Sequence, residues 1–132
     1  MDVVGKLSID LFSDSKKFVS LGRLEQEMID FIISHKPELK ERLSSQTDIL
    51  FWMDRIKHTE RHRDDFFSDN EYEICFESIP DIIHHPDYIS VHPKDNSISF
   101  IKDFSGHVSV AVRIASNGKM SYRTMYPITR CV

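Results

Sequence analysis

Two histidines four residues apart are the groups in this sequence best suited to acid–base chemistry. His58 and His62 flank Thr59-Glu60-Arg61, and residues at i and i+4 lie on one face of a helix. Histidine is the side chain whose charge changes near neutral pH, so the pair could give and take protons. A solvated helix face with ion pairs such as Arg61–Asp65 would show the same spacing, and this alternative stays open.

The same histidine spacing can also bind zinc, but the rest of a zinc motif is missing from the sequence. The His-Glu-x-x-His arrangement is absent, and no third ligand stands at a convincing spacing. No metal site is therefore predicted. Three further histidines, His84, His85 and His92, flank prolines in loop-like sequence. They are predicted to cap turns or to face water rather than to act in catalysis.

Positive charge is concentrated near the C-terminal end of the chain. Residues 102–132 contain five Lys or Arg and one acid, a balance of +4, whereas residues 1–101 contain 12 Lys or Arg and 20 Asp or Glu, a balance of −8. A guanidinium can bind two phosphate oxygens together, which makes Arg113 and Arg123 candidates for binding an anion. Outward-facing arginines that oppose strand aggregation would give the same pattern.

These arginines fall in segments with the period-2 pattern of β-strands. Val108, Val110 and Val112 alternate with polar or small residues, which predicts a strand with one buried face. Asn117-Gly118 predicts a hairpin with a type I′ turn, because that turn needs positive φ at both central residues. The predicted antiparallel strands cover residues 98–102, 107–114 and 120–126.

The part of the chain before these strands has helical periodicity. The predicted helices run from Ser20 to near His35, over residues 48–67 and over residues 73–83. Ser20 and Asp48 are suitable N-cap residues, and Pro37 ends the first helix. Pro80 in the third is compatible with a helix only if it starts a new turn or kinks the old one. Helices followed by a small antiparallel sheet indicate the α+β class.

Length and composition indicate a single domain with its own core, since the chain has 132 residues of which 40% are hydrophobic. Cys75 and Cys131 lack the spacing of a zinc site and the density of a disulfide scaffold, so both are predicted to be free thiols in a reducing compartment. No apolar run is long enough to span a bilayer, and residues 1–10 lack the pattern of a signal peptide. A soluble cytoplasmic protein is predicted.

Two stretches of the sequence resemble a known group of proteins. HTERH at residues 58–62 precedes IPDIIHHPDYISVHPKDNSISFIKDF and HVSVAVRIASNGKMSYRTMYPI, which span residues 79–104 and 107–128. Together they resemble the phage-associated nucleases of the barnase–EndoU–colicin–RelE superfamily. The resemblance implies N-terminal helices packed on a sheet of about four antiparallel strands. It also implies a nuclease core at residues 46–132, with residues 1–45 as a helical extension outside the resemblance.

The activity that this resemblance implies is metal-independent cleavage of RNA through attack of the 2′-hydroxyl, which leaves a 2′,3′-cyclic phosphate. No cofactor is needed. The implied catalytic residues are His58, His62, Arg123 and Thr124, with the two histidines as acid and base in either order. The implied substrate-binding residues are Lys102, Arg113, Ser121 and Arg61. The implied partners are RNA, with tRNA or ribosome-associated RNA among the possibilities, and an antitoxin or immunity protein.

Two other classes of function fit the same sequence. One is a non-catalytic module of a phage or mobile element that binds RNA or protein on the same fold, and the other is a structural phage protein. The sequence pI of about 5.9 is low for a protein that must bind a polyanion. Residues 102–132 contain no Glu, so an acid–base mechanism would depend on histidines from the helix. Trp52, Tyr122 and Tyr126 are predicted to pack rather than to stack on bases.

Overall fold

Six strands form one sheet, with four α-helices, within residues 3–104 and 106–128, the part of the chain that a computed structural model describes. Arg130, which contributes to the basic balance, and Cys131 lie outside the described residues. The strands are β1 Phe18–Arg23, β2 Asp48–Trp52, β3 Tyr88–Val91, β4 Ser97–Asp103, β5 His107–Ile114 and β6 Met120–Pro127. The helices are α1 Gln26–His35, α2 Arg55–Glu60, α3 Asp69–Glu77 and α4 Ile79–His84.

The sheet is mixed, which corrects the predicted fold class. Its strand order is β1-β2-β6-β5-β4-β3. The β2–β6 pair is parallel, and the other four neighbouring pairs are antiparallel. The prediction of N-terminal helices packed on about four antiparallel strands is therefore wrong. A strand, β1, precedes the first α-helix in the chain, and two strands from the N-terminal half extend the C-terminal meander.

The C-terminal meander itself follows the predicted pattern closely. The predicted strand at residues 107–114 is confirmed with the same bounds, and Val108, Val110 and Val112 are buried. The type I′ turn is wrong, because no described residue except glycine has positive φ, and only Gly118 of this pair does, at 88°. Gly118 N–H donates to the Ala115 carbonyl at 2.9 Å. This is a type I turn closed by a glycine bulge.

The predicted helix that starts at Ser20 is wrong in its first part, where the chain forms β1. Val19 and Leu21 are buried, and Ser20 pairs with Leu50 of β2. The Ser20 hydroxyl donates to Asp48 Oδ2 at 2.7 Å instead of capping a helix. The helix begins only at Gln26 and ends before Pro37, as the proline predicts.

The predicted helix over residues 48–67 is also wrong in its first part, because β2 occupies Asp48–Trp52. Ile49 and Phe51 are buried while Trp52 is exposed, which is strand alternation. The helix that follows, α2, has only six residues. Pro80 lies in the first turn of α4, after α3 has ended at Glu77. Of the two alternatives for Pro80, a new turn or a kink, the structure shows the new turn.

One face of the sheet carries the hydrophobic core. Buried residues of α1, α3 and α4 belong to the same cluster as the valines of β5. The first 45 residues contribute Leu7, Val19 and Leu21 to that cluster. We call this the core face, and the opposite side the outer face, which carries Ser97 and Ser99 of β4, Ala111 and Arg113 of β5, and Ser121 and Thr124 of β6. Within the described residues, no helix is long and apolar enough to cross a membrane.

Candidate active site

A cavity of about 230 Å³ opens on the outer face, and three of the eight predicted site residues, His58, Arg123 and Thr124, line it. Three structural elements form its walls. α2 contributes Arg55 and His58, the connection between β3 and β4 contributes His92 and Asp95, and β6 contributes Arg123, Thr124 and Tyr126. Ser97, Ser99 and Ala111 complete the lining. The cavity therefore combines guanidinium groups, imidazoles and hydroxyls, which are the groups that bind and transform a phosphate diester.

The floor of the cavity is a row of small side chains across three strands. Ser99 pairs with Ala111, and Ala111 pairs with Thr124. Because all three are small, the sheet surface is hollow at this row. Thr124 Oγ1 is buried there and has no hydrogen-bond partner among residues 3–104 and 106–128. A buried hydroxyl without a partner costs about 1–3 kcal/mol, so this group calls for an explanation, and a role at a functional site is one of them.

A β-bulge explains how Arg123 and Thr124 reach the same cavity. Neighbouring residues of a regular strand point to opposite faces. Ala111 pairs with Thr124, whereas the next residue, Val112, pairs with Tyr122. Arg123 is therefore the extra residue of a bulge in β6, and its exposed side chain lies on the same side as Thr124. Bulges often re-aim side chains next to active sites.

α2 contacts the edge of β6 past the last residue of β6 that pairs with β2. The pairing of β2 with β6 covers only Ile49–Met120 and Leu50–Ser121. Further along β6, the Arg55 guanidinium donates through Nε, at 2.9 Å, and through a second nitrogen to the Arg123 carbonyl. This carbonyl belongs to the bulge residue, so the same contact holds the helix and the bulge together.

A second contact fixes the middle of the HTERH segment. Thr59 is fully buried, and its hydroxyl lies 2.8 Å from the Arg55 carbonyl and 2.6 Å from the Tyr122 hydroxyl. The Thr59 side chain thus faces the protein interior, while His58 faces the cavity. The threonine between the histidines is an anchor, and its burial sets the rotation of α2.

The electrostatic surroundings of His58 favour its neutral form. Burial, and the positive charges of Arg55, Arg61, His62 and Arg123, lower the pKa of His58 below its usual value of 6.5. An imidazole that is neutral at neutral pH can accept a proton. His58 is therefore suited to act as a general base next to the Arg123 guanidinium and the Thr124 hydroxyl.

His62 lies beside the cavity without lining it. Its ring centroid is 6.1 Å from that of His58 and 6.0 Å from that of Tyr126. Its Nδ1 is 3.0 Å from Asp65 Oδ2. The structure thus brings His58, Arg123 and Thr124 together and leaves His62 at the rim.

The predicted substrate-binding residues have three different placements. Arg113 and Ser121 pair with each other on the outer face, in the row next to the cavity floor. Arg61 is exposed and does not line the cavity, although its charge acts on His58. Lys102 lies on the core face, since it follows Ile98 and Phe100 at period 2.

Lys102 contacts α4 and the residue that follows it. Its ammonium donates to the His85 carbonyl at 2.6 Å and lies 3.9 Å from Asp81 Oδ2 of α4. Strand alternation therefore keeps Lys102 away from the cavity.

Arg55, His92 and Asp95 line the cavity although they are not among the predicted site residues. Arg55 stands three residues before His58, a spacing that places both on one helix face, and this signal could have found it. His92 and Asp95 lie in a loop, where no periodicity indicates their direction. Although burial raises the pKa of Asp95, hydrogen bonds from the backbone and side chain of Ser97 and the positive charge of Arg123 lower it below the usual 3.8. Asp95 is thus a carboxylate near the Arg123 guanidinium.

Two further features bear on the choice of site. A larger cavity of about 520 Å³ lies between α1, the α4–β3 connection and β3. Its lining includes Glu27 and Asp87 but no Lys or Arg, so its charge does not suit a phosphate. Among the described residues, no group of three or more His, Cys, Asp or Glu is placed to hold a metal ion.

Comparison with known proteins identifies a family to which the chain is similar. The model of a family described as phage-Barnase-EndoU-ColicinE5/D-RelE like nuclease3 matches residues 31–131. No curated protein and no solved structure matches the chain.

Proposed function

Since this chain belongs to the phage-associated barnase–EndoU–colicin–RelE-like nuclease family, we propose that it is an endoribonuclease that cleaves RNA without a metal ion. The observation that carries the proposal is the convergence of His58, Arg123 and Thr124 on one cavity of the outer face. A neutral imidazole beside a guanidinium and an unpartnered hydroxyl supplies a base and a binding site for a charged phosphate.

In the proposed reaction, His58 removes the proton of the 2′-hydroxyl, and the 2′-oxygen attacks the adjacent phosphorus. The bond between phosphorus and the 5′-oxygen breaks, and the leaving oxygen takes a proton from an acid. The products are a 2′,3′-cyclic phosphate and a 5′-hydroxyl end. Arg123 and the Thr124 hydroxyl bind the phosphate oxygens, on which negative charge grows in the transition state.

His62 is the proposed acid. Its Nδ1 is 3.0 Å from Asp65 Oδ2, so a hydrogen bond from Nδ1–H to this carboxylate leaves Nε2 as the nitrogen available for proton transfer. His62 is near enough to His58 for both to serve one phosphate, since their ring centroids are 6.1 Å apart. Arg113 and Ser121, in the neighbouring row, are proposed to bind an adjacent phosphate of the same RNA.

The proposed substrate is RNA and not DNA, because the attacking group is the 2′-hydroxyl. The outer face can attract RNA despite a net charge of −4, since the Arg55, Arg113 and Arg123 side chains are local to it. Structured RNA such as tRNA or ribosome-associated RNA is the proposed class. A cognate antitoxin or immunity protein that covers the cavity is the proposed inhibitor.

The test is cleavage of total tRNA and of a mixed-sequence RNA in EDTA, by the wild type, His58→Ala and Arg123→Ala. We expect the wild type to produce cyclic phosphate ends and each variant to lose about 10²-fold or more in rate. His85→Ala and Lys40→Ala are matched controls, because both residues are exposed and do not line the cavity. A DNA of the same sequence should stay intact.

A non-catalytic binding module is the competing interpretation. It predicts that the wild type binds RNA through the outer face and leaves it intact. If the wild type cleaves no RNA, or if His58→Ala cleaves as fast as the wild type, the catalytic proposal is wrong.

A further inference from the structure

The loop that joins β3 to β4 is held in place by a buried lysine from a distant part of the chain. Lys36, just after α1, is only 7% exposed. Its ammonium donates to the His92 carbonyl at 2.8 Å and to the Asp95 carbonyl at 2.5 Å. A buried ammonium is costly unless its hydrogen bonds are satisfied, so this contact ties the loop conformation to the fold. The same loop contributes His92 and Asp95 to the cavity wall.

Within this loop, the His92 ring is oriented by the main chain. Its Nδ1 accepts hydrogen bonds from the backbone N–H groups of Lys94 and Asp95, each at 3.1 Å. A ring nitrogen that accepts two hydrogen bonds carries no proton. The neutral imidazole therefore has its proton on Nε2.

The nearby Asp95 carboxylate does not change this assignment. Asp95 Oδ1 is 3.6 Å from Nδ1 and already accepts from the Ser97 N–H at 2.8 Å. The two backbone donors are closer to Nδ1 than the carboxylate is. An imidazolium would have to place a proton on Nδ1, against both N–H groups.

From this geometry, we propose that His92 is a neutral hydrogen-bond donor to the substrate phosphate, through Nε2–H, and does not take part in proton transfer. The inference deepens the proposed ribonuclease function and rests on it. His92 lines the cavity together with His58, Arg123 and Thr124. A donor whose orientation is set before the substrate binds can stabilise the charge that grows on a phosphate oxygen without reorganising.

Lys36 is a positioning residue in this proposal. It touches neither the cavity nor the substrate, and it acts by holding the two carbonyls that begin and end the His92–Asp95 segment. The charged and titratable groups that face His92 are Asp95 of its own loop, Lys36, Arg55 and His58 of α2, and Arg123 and Tyr126 of β6.

The first test is the tautomer of His92, measured from the ¹⁵N resonances of its ring near neutral pH. We expect the Nε2–H form. We also expect the Nε2 resonance to move when an RNA oligonucleotide with 2′-O-methyl groups is added. This probe carries phosphates but no nucleophile, so it can bind without being cleaved. An Nδ1–H form, an imidazolium, or an Nε2 resonance that the oligonucleotide leaves unmoved would overturn the proposal. This measurement does not depend on cleavage.

The second test is the pH profile of cleavage. His92→Phe should lower kcat/KM by about 10²–10³-fold, as expected for the loss of one hydrogen-bond donor. The factor should be the same at each pH, and both limbs of the profile should remain. His92→Gln should recover part of this loss, since its amide can donate from a similar position. If His92→Phe removes one limb, His92 transfers protons, and if it cleaves like the wild type, His92 has no role.

A variant of Lys36 separates positioning from stability. Lys36→Met keeps a long buried side chain without the hydrogen bonds. We expect kcat to fall with little change in KM, and the His92 ring to show a mixture of tautomers. An unchanged tautomer with a lower melting temperature would mean that Lys36 is only structural. Inactivity of the wild type on every RNA would contradict the proposed function, whereas wild-type cleavage with a fully active His92→Phe would contradict this inference alone.

Discussion

The Arg55 guanidinium donates two hydrogen bonds to the main-chain carbonyl of Arg123. The carbonyl belongs to the bulge residue of β6, and the guanidinium belongs to the first residue of α2. One contact therefore sets the distance between the helix that carries His58 and the strand segment that carries Arg123 and Thr124. The same hydrogen bonds engage the Arg55 guanidinium with the protein backbone. Arg55 and Arg123 both line the cavity, but they differ in this respect.

Replacing Arg55 tests this contact. Lysine keeps the charge but cannot form the two-nitrogen contact, so Arg55→Lys should lower kcat/KM for RNA. Arg55→Met should lower kcat/KM further, by about 10²-fold, as expected for a displaced catalytic group. Arg61→Lys is a matched control at the residue just after the same helix, since Arg61 is exposed and does not line the cavity. Full activity of Arg55→Lys would show that only charge is needed at this position.

Arg61→Gln should change the pH dependence of cleavage. The positive charge of Arg61 helps to lower the pKa of His58, so its removal should raise that pKa towards 6.5. Because the base must be unprotonated, the acid limb of kcat/KM against pH should move to higher pH. Arg61→Lys keeps the charge and should leave the limb in place. If the acid limb does not move in Arg61→Gln, His58 is not the base whose pKa this limb reports.

Thr124 offers a test in which stability and activity change in opposite directions. Its hydroxyl is buried and has no partner among the described residues, so Thr124→Val should leave the free energy of unfolding unchanged or raise it by about 1 kcal/mol. Cleavage should fall by about 10²-fold, because a donor to the phosphate is lost. Thr124→Ser keeps the hydroxyl and should keep most of the activity. Denaturant unfolding measures the stability, and initial rates measure the cleavage. A Thr124→Val variant that is less stable than the wild type would contradict the stability prediction.

Asp48 should make stability depend on pH at the β1–β2 pair. Hydrogen bonds from Arg23, at 2.7 Å, and from Ser20 lower the pKa of Asp48 below its usual 3.8. Its contribution is therefore complete above pH 3.8 and is lost as the pH falls through the folded-state pKa. Asp48→Asn should cost about 1–2 kcal/mol in urea unfolding at neutral pH. The difference in free energy of unfolding between Asp48→Asn and the wild type should shrink near pH 3. A difference that stays constant with pH would show that the Asp48 carboxylate is not its source.

Local patterns predicted the elements whose partners are close in sequence. The strand at residues 107–114 and the position of its hairpin follow from valine alternation and from Gly118, and Pro37 and Pro80 mark helix boundaries. β1 and β2 lie in segments that were predicted to be helical. At β1, Leu21, Leu24 and Met28 fit helical spacing equally well. Ser20 pairs with Leu50, thirty residues away along the chain, and no local pattern encodes that pairing.

The residue types and the family were readable from the sequence alone, because acid–base and phosphate-binding chemistry depends on which side chains are present. HTERH, the two arginines of the last strands and the resemblance to phage nucleases required no coordinates. The arrangement of the cavity was decided only by tertiary structure. A bulge aligns Arg123 with Thr124, and Lys36 holds a loop 56 residues away. Each of these depends on contacts between distant segments, which form only when the whole sheet has assembled.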